Sequence, residues 1–282
     1  MVGMVFTVPL WVWIFLVAGA GVGFVSAMFG VGGCFIMVPV MIFMFTGFGC
    51  PLDVAVKVAF GTNLAVVVPT ALIGAKMHTK AGKTKKFPFN LWKGLGLGAG
   101  VGAVLGATVT SYAPGWIMKM LFGVVCLIGA WRFLTAKPKP VEEIPSLSMV
   151  KGFCWGFIAA TFAAFIGIGG GLVYVPLLNL VLGFPMHLSI LLSLAMMVVS
   201  SGIGSISYML YGLQVQNLKN SIFPPYSIGY FNYGAFLTLG LTSAAFSILG
   251  AIVSERTRPK ILRICLGLLY VYIGLKMLGF PI

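Results

Sequence analysis

Apolar positions run along almost the whole chain and are interrupted only by short polar or glycine-rich stretches. Apolar runs of about 18 residues or more are long enough to cross a bilayer as helices. The pattern therefore predicts an all-α polytopic membrane protein. The predicted apolar segments are at about 10–29, 34–46, 54–75, 91–112, 115–134, 150–166, 171–183, 187–211, 228–253 and 260–280.

Two of these segments are too short to cross a bilayer untilted, and each follows a cluster of glycines. The clusters and the runs behind them read GVGGCFIMVP at 30–39 and GIGGGLVYVP at 167–176. We expect segments 34–46 and 171–183 to form half-helices or the arms of a re-entrant hairpin. An irregular backbone at that depth has to be buried in protein or line a wet cavity.

The two glycine motifs lie 137 positions apart and indicate two copies of one membrane unit. A repeated unit of this kind sets the domain organisation of the chain. We predict a first transmembrane repeat over 1–135, a cytoplasmic linker over 136–149 and a second repeat over 150–282.

Lysine and arginine positions predict the orientation of the two repeats, because cytoplasmic loops are rich in these residues. The loop 76–93 holds six lysines and the linker region 135–151 holds three more. In the second half the counterpart of the first loop, 212–227, has one lysine, and a basic cluster lies at 256–263 instead. The second repeat is therefore predicted to be inverted relative to the first.

Five crossings per repeat place both termini on the external side. We predict a multi-pass protein of the cell membrane, which is the inner membrane in a bacterium. Inverted repeats with glycine-interrupted segments at matching positions are typical of secondary transporters, and the interruptions indicate the binding site.

The composition agrees with this class of protein. The chain is 60% hydrophobic and 8% charged, so the lipid bilayer is its solvent. The net charge of +14 falls in short loops, as the positive-inside rule requires, and we predict no nucleic-acid partner. Four of the five scattered cysteines lie within or beside apolar segments, so buried thiols are expected rather than disulfides or metal ligands.

Enzyme and cofactor motifs are missing from the sequence. There is no H-E-x-x-H pair, no G-x-S-x-G motif and no nucleotide-binding loop, so we predict neither an enzyme nor a cofactor. Segment 91–112 has glycine at every fourth position from Gly94 to Gly106, with two more interleaved. This spacing predicts close packing against another helix.

Shorter motifs also match between the halves. Thr62-Asn63-Leu64 corresponds to Leu192-Ser193-Leu194 at an offset of 130, and His78 corresponds to Tyr208 at the same offset. With the paired glycine motifs, these residues resemble the TauE/SafE sulfite-exporter family, also called the TSUP family of anion transporters. The resemblance covers essentially the whole chain. Departures from the family pattern are Cys34 in place of a glycine, Asn63 in place of a serine, and Leu192 in place of a threonine.

The resemblance implies a function and a substrate class. Members of the family move small sulfur-containing anions such as sulfite, thiosulfate, sulfoacetate and other organosulfonates. The expected partners are therefore a small anionic substrate and the lipid bilayer. An anion channel and a carrier of non-sulfur organic anions remain alternatives.

The candidate binding groups are the glycine clusters and the polar residues of the third segments. Helix N-termini attract anions, and glycine lets an anion approach the backbone. The predicted substrate-binding residues are Gly30, Gly32, Gly33, Cys34, Thr62, Asn63, Gly169, Gly170, Gly171 and Ser193. The glycines could instead serve only a tight turn, and the polar side chains could bond carbonyl groups four residues back.

Five further polar residues have a weaker claim to function. Ser200 and Ser201 lie in the same third segment as Ser193. His78 and Tyr208 are expected to anchor segment ends at the membrane interface. Lys57 is expected to extend towards the surface, where it could also attract anions.

The acidic residues bear on energy coupling. Asp53, Glu142, Glu143 and Glu255 are all predicted in loops, so coupling through a carboxylate in the membrane is not expected. A sodium ion held by backbone carbonyls, uniport, and transport driven by the membrane potential remain open. The sequence also leaves open the direction of transport and whether the chain forms a homo-oligomer.

Overall fold

A computed structural model of the chain describes residues 10–29, 34–81, 89–135, 147–218, 223–256 and 259–279. The described part is almost entirely helical. The helices are α1 (Leu10–Phe29), α2 (Cys34–Gly47), α3 (Leu52–Ala81), α4 (Phe89–Tyr112), α5 (Gly115–Thr135), α6 (Met149–Phe165), α7 (Gly171–Pro176), α8 (Met186–Leu218), α9 (Tyr233–Arg256) and α10 (Pro259–Leu278). The all-α polytopic prediction is confirmed.

Several helices are suited to a bilayer. Within the described residues, four helical stretches are long and apolar enough to cross a membrane: Leu52–Lys76, Phe89–Tyr112, Gly115–Arg132 and Leu188–Asn217. Large apolar side chains such as Val17, Leu97 and Leu241 are exposed on the outer faces of the bundle. Lipid chains would cover these side chains, because exposing so much apolar surface to water is unfavourable.

The predicted start of the segment 228–253 is wrong. Ser227–Ile228 (β1) and Phe231–Asn232 (β2) form an antiparallel two-stranded hairpin, and α9 begins only at Tyr233. The side-chain oxygen Oδ1 of Asn232 accepts a hydrogen bond from the Ala235 amide at 2.8 Å. This bond caps the N-terminus of α9. A short apolar run does not by itself distinguish a strand from a helix.

The second half-helix is shorter than predicted. Regular α-helix in α7 ends at Pro176, and one π-helical turn continues from Leu177 to Val181. Pro176 has no amide hydrogen, so one donor of the helical hydrogen-bond pattern is lost at this point. In the first half, α2 is a 14-residue helix, which is also too short to cross untilted.

The glycine face of α4 packs directly on α6, as predicted. A methyl group added at Gly98 would overlap the Phe153 carbonyl oxygen, and one at Gly102 would overlap that of Phe157. Because later glycines of α4 meet later residues of α6, the two helices run parallel. α1 and α9 pack in the same way, with Gly23 against the backbone of Ser243.

The long helices α3 and α8 run antiparallel through the centre of the bundle. Ser205, late in α8, donates a hydrogen bond to the carbonyl of Gly61, early in α3, at 3.0 Å. At the other end, Gly74 of α3 faces the side chain of Leu194, early in α8.

The helices α5 and α10 are antiparallel as well. Gly123, early in α5, faces the backbone of Gly274, late in α10. Gly267, early in α10, faces Leu134, late in α5.

We expect substitution on the glycine face of α4 to weaken the α4–α6 contact. Gly98→Val should destabilise the protein by roughly 1–3 kcal/mol, because the branched side chain has to separate two backbones. Thermal unfolding in detergent measures the effect. Leu97→Val is the matched control, since Leu97 is the adjacent residue and is 57% exposed. Equal melting temperatures for the two variants would contradict the packing assignment.

Candidate functional site

The second glycine cluster forms an irregular break between α6 and α7. Gly167, Gly169 and Gly170 have φ angles of 65°, 73° and 100°. Residues with a side chain seldom adopt this left-handed region, so glycine is required by the turn itself. We call residues 167–171 the glycine break.

The first cluster cannot be compared with it in detail. Gly30, Gly32 and Gly33 lie outside the described residues. Cys34 is the first residue of α2, as the half-helix prediction requires.

Helix α3 packs against the glycine break through three residues spaced along one face. Phe60 lies against Gly167, and Val67 lies against Gly169. Between them, the side-chain amide nitrogen Nδ2 of Asn63 donates a hydrogen bond to the carbonyl oxygen of Gly167 at 2.6 Å.

Asn63 is completely buried, and its side-chain oxygen Oδ1 has no hydrogen-bond partner among the described residues. The Gly167 carbonyl fixes the orientation of the amide group, because only the nitrogen can donate to it. Asn63 therefore holds the break with its donor and leaves an acceptor directed into the core. A buried acceptor without a partner is unfavourable by about 1–3 kcal/mol, and such atoms are often found at functional sites.

Helix α8 approaches the break from its other side. The hydroxyl of Ser201 points to the carbonyl oxygen of Gly169 at 3.4 Å. The ring of Tyr174, in α7, lies against Gly170, and the tyrosine hydroxyl donates to the Ser200 hydroxyl at 2.9 Å. Neither serine bonds the carbonyl four residues back in its own helix.

The other predicted side chains are buried but differ in their contacts. Thr62 does not contact the break, because its hydroxyl oxygen accepts a hydrogen bond from the Asn232 amide at 2.9 Å. The Ser193 hydroxyl lies 3.9 Å from the sulfur of Met197, a weak contact. Asn63 contacts the glycine cluster of the other half, so its counterpart Ser193 would be expected near the first glycine cluster. That cluster lies outside the described residues.

The interface role expected for Tyr208 is wrong. Its side chain is fully buried, and its hydroxyl donates to the Thr110 hydroxyl at 2.9 Å and to the Ala164 carbonyl at 2.8 Å. Tyr208 therefore joins α8 to α4 and to the end of α6, close to the glycine break. Of His78, only its place in α3 is described.

Lys57 does not extend to the surface, contrary to expectation. It is 8% exposed, and its ammonium group donates a hydrogen bond to the carbonyl oxygen of Ser111, in the last turn of α4, at 2.8 Å. The ammonium also lies 5.8 Å from the centre of the Tyr230 ring, within the range of a cation–π contact.

The expectation that the acidic residues lie in loops is wrong for Asp53 and Glu255. Asp53 lies in the first turn of α3, exposed, and its carboxylate accepts a hydrogen bond from the Gly115 amide at the start of α5. Burial raises the pKa of Tyr230 to about 12, and the nearby Asp53 charge adds to this. Glu255 lies within α9 rather than in a loop, and Glu142 and Glu143 are outside the described residues.

Two of the expected buried thiols are confirmed. Cys50 and Cys126 are buried, whereas Cys154 is exposed on α6. Among the described residues, no group of three or more His, Cys, Asp or Glu could hold a metal ion.

Sequence reasoning missed three residues of this region: Tyr174, Thr110 and Ser205. Tyr174 sits within an apolar run, where a tyrosine is easily taken for a packing residue. A buried tyrosine hydroxyl nevertheless needs a hydrogen-bond partner, and this requirement could have indicated that Tyr174 joins a polar cluster.

A bundle of apolar helices with a buried polar cluster around a broken helix defines a class of protein, the polytopic membrane transporters. Residues 15–277 match the family described as Sulfite exporter TauE/SafE, and the chain belongs to this family. The protein is thus a membrane transporter rather than an enzyme.

The relatives of the chain are also named as membrane transporters. A probable membrane transporter protein of Methanocaldococcus jannaschii is 29% identical over 93% of this chain and 94% of its own length. A probable membrane transporter protein of Bacillus subtilis is 28% identical over 71% of this chain and 78% of its own. A probable membrane transporter protein of Haemophilus influenzae is 24% identical over 93% of this chain and 96% of its own length. No solved structure matches the chain.

The glycine break offers a test that separates backbone strain from crowding. Gly169 and Gly183 have nearly equal φ angles of 73° and 72°. A methyl group at Gly169 would lie 2.9 Å from Val67, whereas one at Gly183 would meet nothing within 4 Å. We expect Gly183→Ala to lower the unfolding free energy by about 1–2 kcal/mol through strain alone, and Gly169→Ala to lower it further.

Thermal unfolding of the two variants measures the difference. Adding Val67→Ala to Gly169→Ala should recover part of the loss, since the two sites are in contact. Equal losses in both single variants would show that the break is not closely packed on α3.

Proposed function

We propose that the protein is a secondary transporter, a permease or exporter, of small sulfur-containing anions such as sulfite, thiosulfate or organosulfonates. The anion is held near the midplane of the membrane at the two glycine clusters. The family description, which names sulfite export, supports the substrate class. The printed names of the relatives support transport without naming a substrate.

The proposed architecture is an inverted repeat of residues 1–135 and 150–282, joined by the linker 136–149 on the cytoplasmic side. Its support is the antiparallel contact of α3 with α8, which occupy corresponding positions in the two halves. Helices α5 and α10 also correspond and are also antiparallel. A two-fold axis lying in the membrane plane relates antiparallel counterparts in this way.

The proposed site combines backbone amides with neutral side-chain donors. The first amides of a helix have no intrahelical acceptor, so those of Gly171 and Leu172 can point at an anion, whereas the Val173 amide already donates to the Gly170 carbonyl at 2.9 Å. The donors of Asn63 and Ser201 are engaged with the carbonyl oxygens of the break. An arriving anion would compete for these donors, and their release would change the packing of α3 and α8 on α7.

One observation carries the proposal. Two antiparallel helices from opposite halves each direct a buried polar side chain at the same glycine break. A neutral site of this type binds an anion without a buried countercharge. Because the interactions are individually modest, it can also release the anion.

The topology is tested by cysteine accessibility. Lys76 and Asn217 are exposed at the ends of α3 and α8. In a cysteine-free background, we expect Lys76→Cys to react with an impermeant thiol reagent only from the cytoplasmic side and Asn217→Cys only from outside. Both termini should also be external. Reaction of both introduced cysteines from the same side would exclude the inverted repeat.

The substrate is tested by counterflow in proteoliposomes with labelled sulfite, thiosulfate, sulfoacetate and taurine. Exchange of at least one is expected. Exchange of carboxylates alone would indicate a carrier of non-sulfur anions. An anion flux that does not saturate with substrate concentration, and that shows no counterflow, would indicate a channel.

The site is tested in the same assay. Asn63→Ala should raise the KM for the transported anion about two- to tenfold, the equivalent of one neutral hydrogen bond. Gly170→Val should have a larger effect, because its side chain would occupy the break. Ser207→Ala is the control, since Ser207 bonds only the Ile203 carbonyl in its own helix. An unchanged KM in a folded Gly170→Val protein would show that the glycine break does not bind the anion and serves only as a hinge.

A further inference from the structure

A short segment packs across α3 and α8 at one end of this helix pair. This segment, residues 223–232, contains the β1–β2 hairpin, and we call it the strap. Its backbone rests directly on glycines of both helices. A methyl group at Gly61 would overlap the Tyr230 carbonyl oxygen, and one at Gly212 would overlap the Tyr230 amide. Larger residues at either glycine would hold the strap away.

Hydrogen bonds attach the strap at two places. The Gly229 amide donates to the side-chain oxygen of Gln216 at 2.9 Å, at the end of α8. The Asn232 amide donates to the hydroxyl of Thr62, the residue next to Asn63. The ring of Tyr230 is also buried in the core, so separating the strap from the helices requires breaking these two hydrogen bonds and exposing that ring.

Lys57 lies beneath the strap. It is the charged residue that is buried among the described side chains, and the Tyr230 ring of the strap covers its ammonium group. Lys57 precedes Asn63 by six residues on α3, which corresponds to about 9 Å along the helix axis. The strap contacts α3 at Gly61 and Thr62, so the strap, the cation and the proposed anion site all lie within two turns of this helix.

Burial of an ammonium group is unfavourable, and the groups around Lys57 offset this. The Ser111 carbonyl belongs to the last turn of α4, where the helix carries partial negative charge. The carboxylate of Asp53, one turn earlier on α3, is bonded to the Gly115 amide. A helix cap alone could be made at the surface, whereas this cation is buried beneath the Tyr230 ring.

We propose that Lys57 is an anion-docking site at the outer mouth of the transport path and that the strap covers it in this conformation. The inference rests on the proposed transport function and adds the residue that first attracts the sulfite or sulfonate group. When the strap separates from Gly61 and Gly212, the Lys57 ammonium is exposed to the external solution. A cation at a narrow mouth raises the local anion concentration, and salt screens the effect.

Uptake of labelled sulfite into proteoliposomes tests the docking role. We expect Lys57→Gln to raise the external KM about tenfold with a smaller change in Vmax, and to flatten the dependence of KM on ionic strength. Lys57→Arg should retain most of the wild-type affinity. Lys119→Gln is the matched control, because this substitution removes the same charge. Lys119 lies one turn into α5, near the same end of the bundle.

A purely structural role for Lys57 predicts a different result. In that case Lys57→Gln would lower the melting temperature and leave both KM and its salt dependence unchanged, which would overturn the docking site. Wild-type protein that transports no sulfur anion would refute the proposed function itself, and the docking site with it. Normal wild-type transport with normal Lys57→Gln kinetics refutes the docking site alone.

A second measurement does not depend on the folding of a Lys57 variant. An impermeant amine-reactive reagent, read by mass spectrometry, reports the exposure of Lys57 in the intact transporter. Gln216→Ala removes one bond to the strap and should speed Lys57 labelling about two- to tenfold, without changing Lys119 labelling. External sulfoacetate should slow it. Labelling of Lys57 that responds to neither change would overturn the proposal.

Discussion

A helix that is interrupted inside a membrane leaves backbone groups that lipid cannot satisfy. The glycine break at 167–171 meets this constraint with partners from two other helices. Asn63 donates to the Gly167 carbonyl, and the Ser201 hydroxyl points at that of Gly169. These contacts require α3 and α8 to meet at the break, so the arrangement of the two long central helices follows from the need to satisfy one irregular turn.

Close approach of backbones is the second organising feature. The glycine face of α4 lets it lie directly on α6, and glycines of α1 allow the same contact with α9. Between lipid-covered helices there is no hydrophobic driving force, so such dense contacts supply much of the cohesion. They pair the first helix of each half with the fourth helix of the other half. The rigid outer pairs leave the centre to the long helices and the broken segment.

Charge is unevenly distributed among the described residues. Around the glycine break the groups are neutral, and their hydrogen bonds are weak enough to be exchanged. The buried cation Lys57 lies nearer one end, under the Tyr230 ring. Under the proposed function, an anion is attracted at Lys57 and bound and released at the glycine break. A single strongly cationic site at the midplane would bind an anion but would hinder its departure.

The sequence alone determined the helical segments, the two short half-helices, the glycine packing face and the family, because these depend on local periodicity and on motifs. It could not determine partners that are distant along the chain. Asn63 and Gly167 are 104 residues apart, and Thr62 and Asn232 are 170 apart. The burial of Lys57 and Tyr208 and the strap over α3 and α8 likewise depend on which helices meet. An apolar or polar pattern reports how a position is solvated, whereas only the tertiary structure decides which group satisfies it.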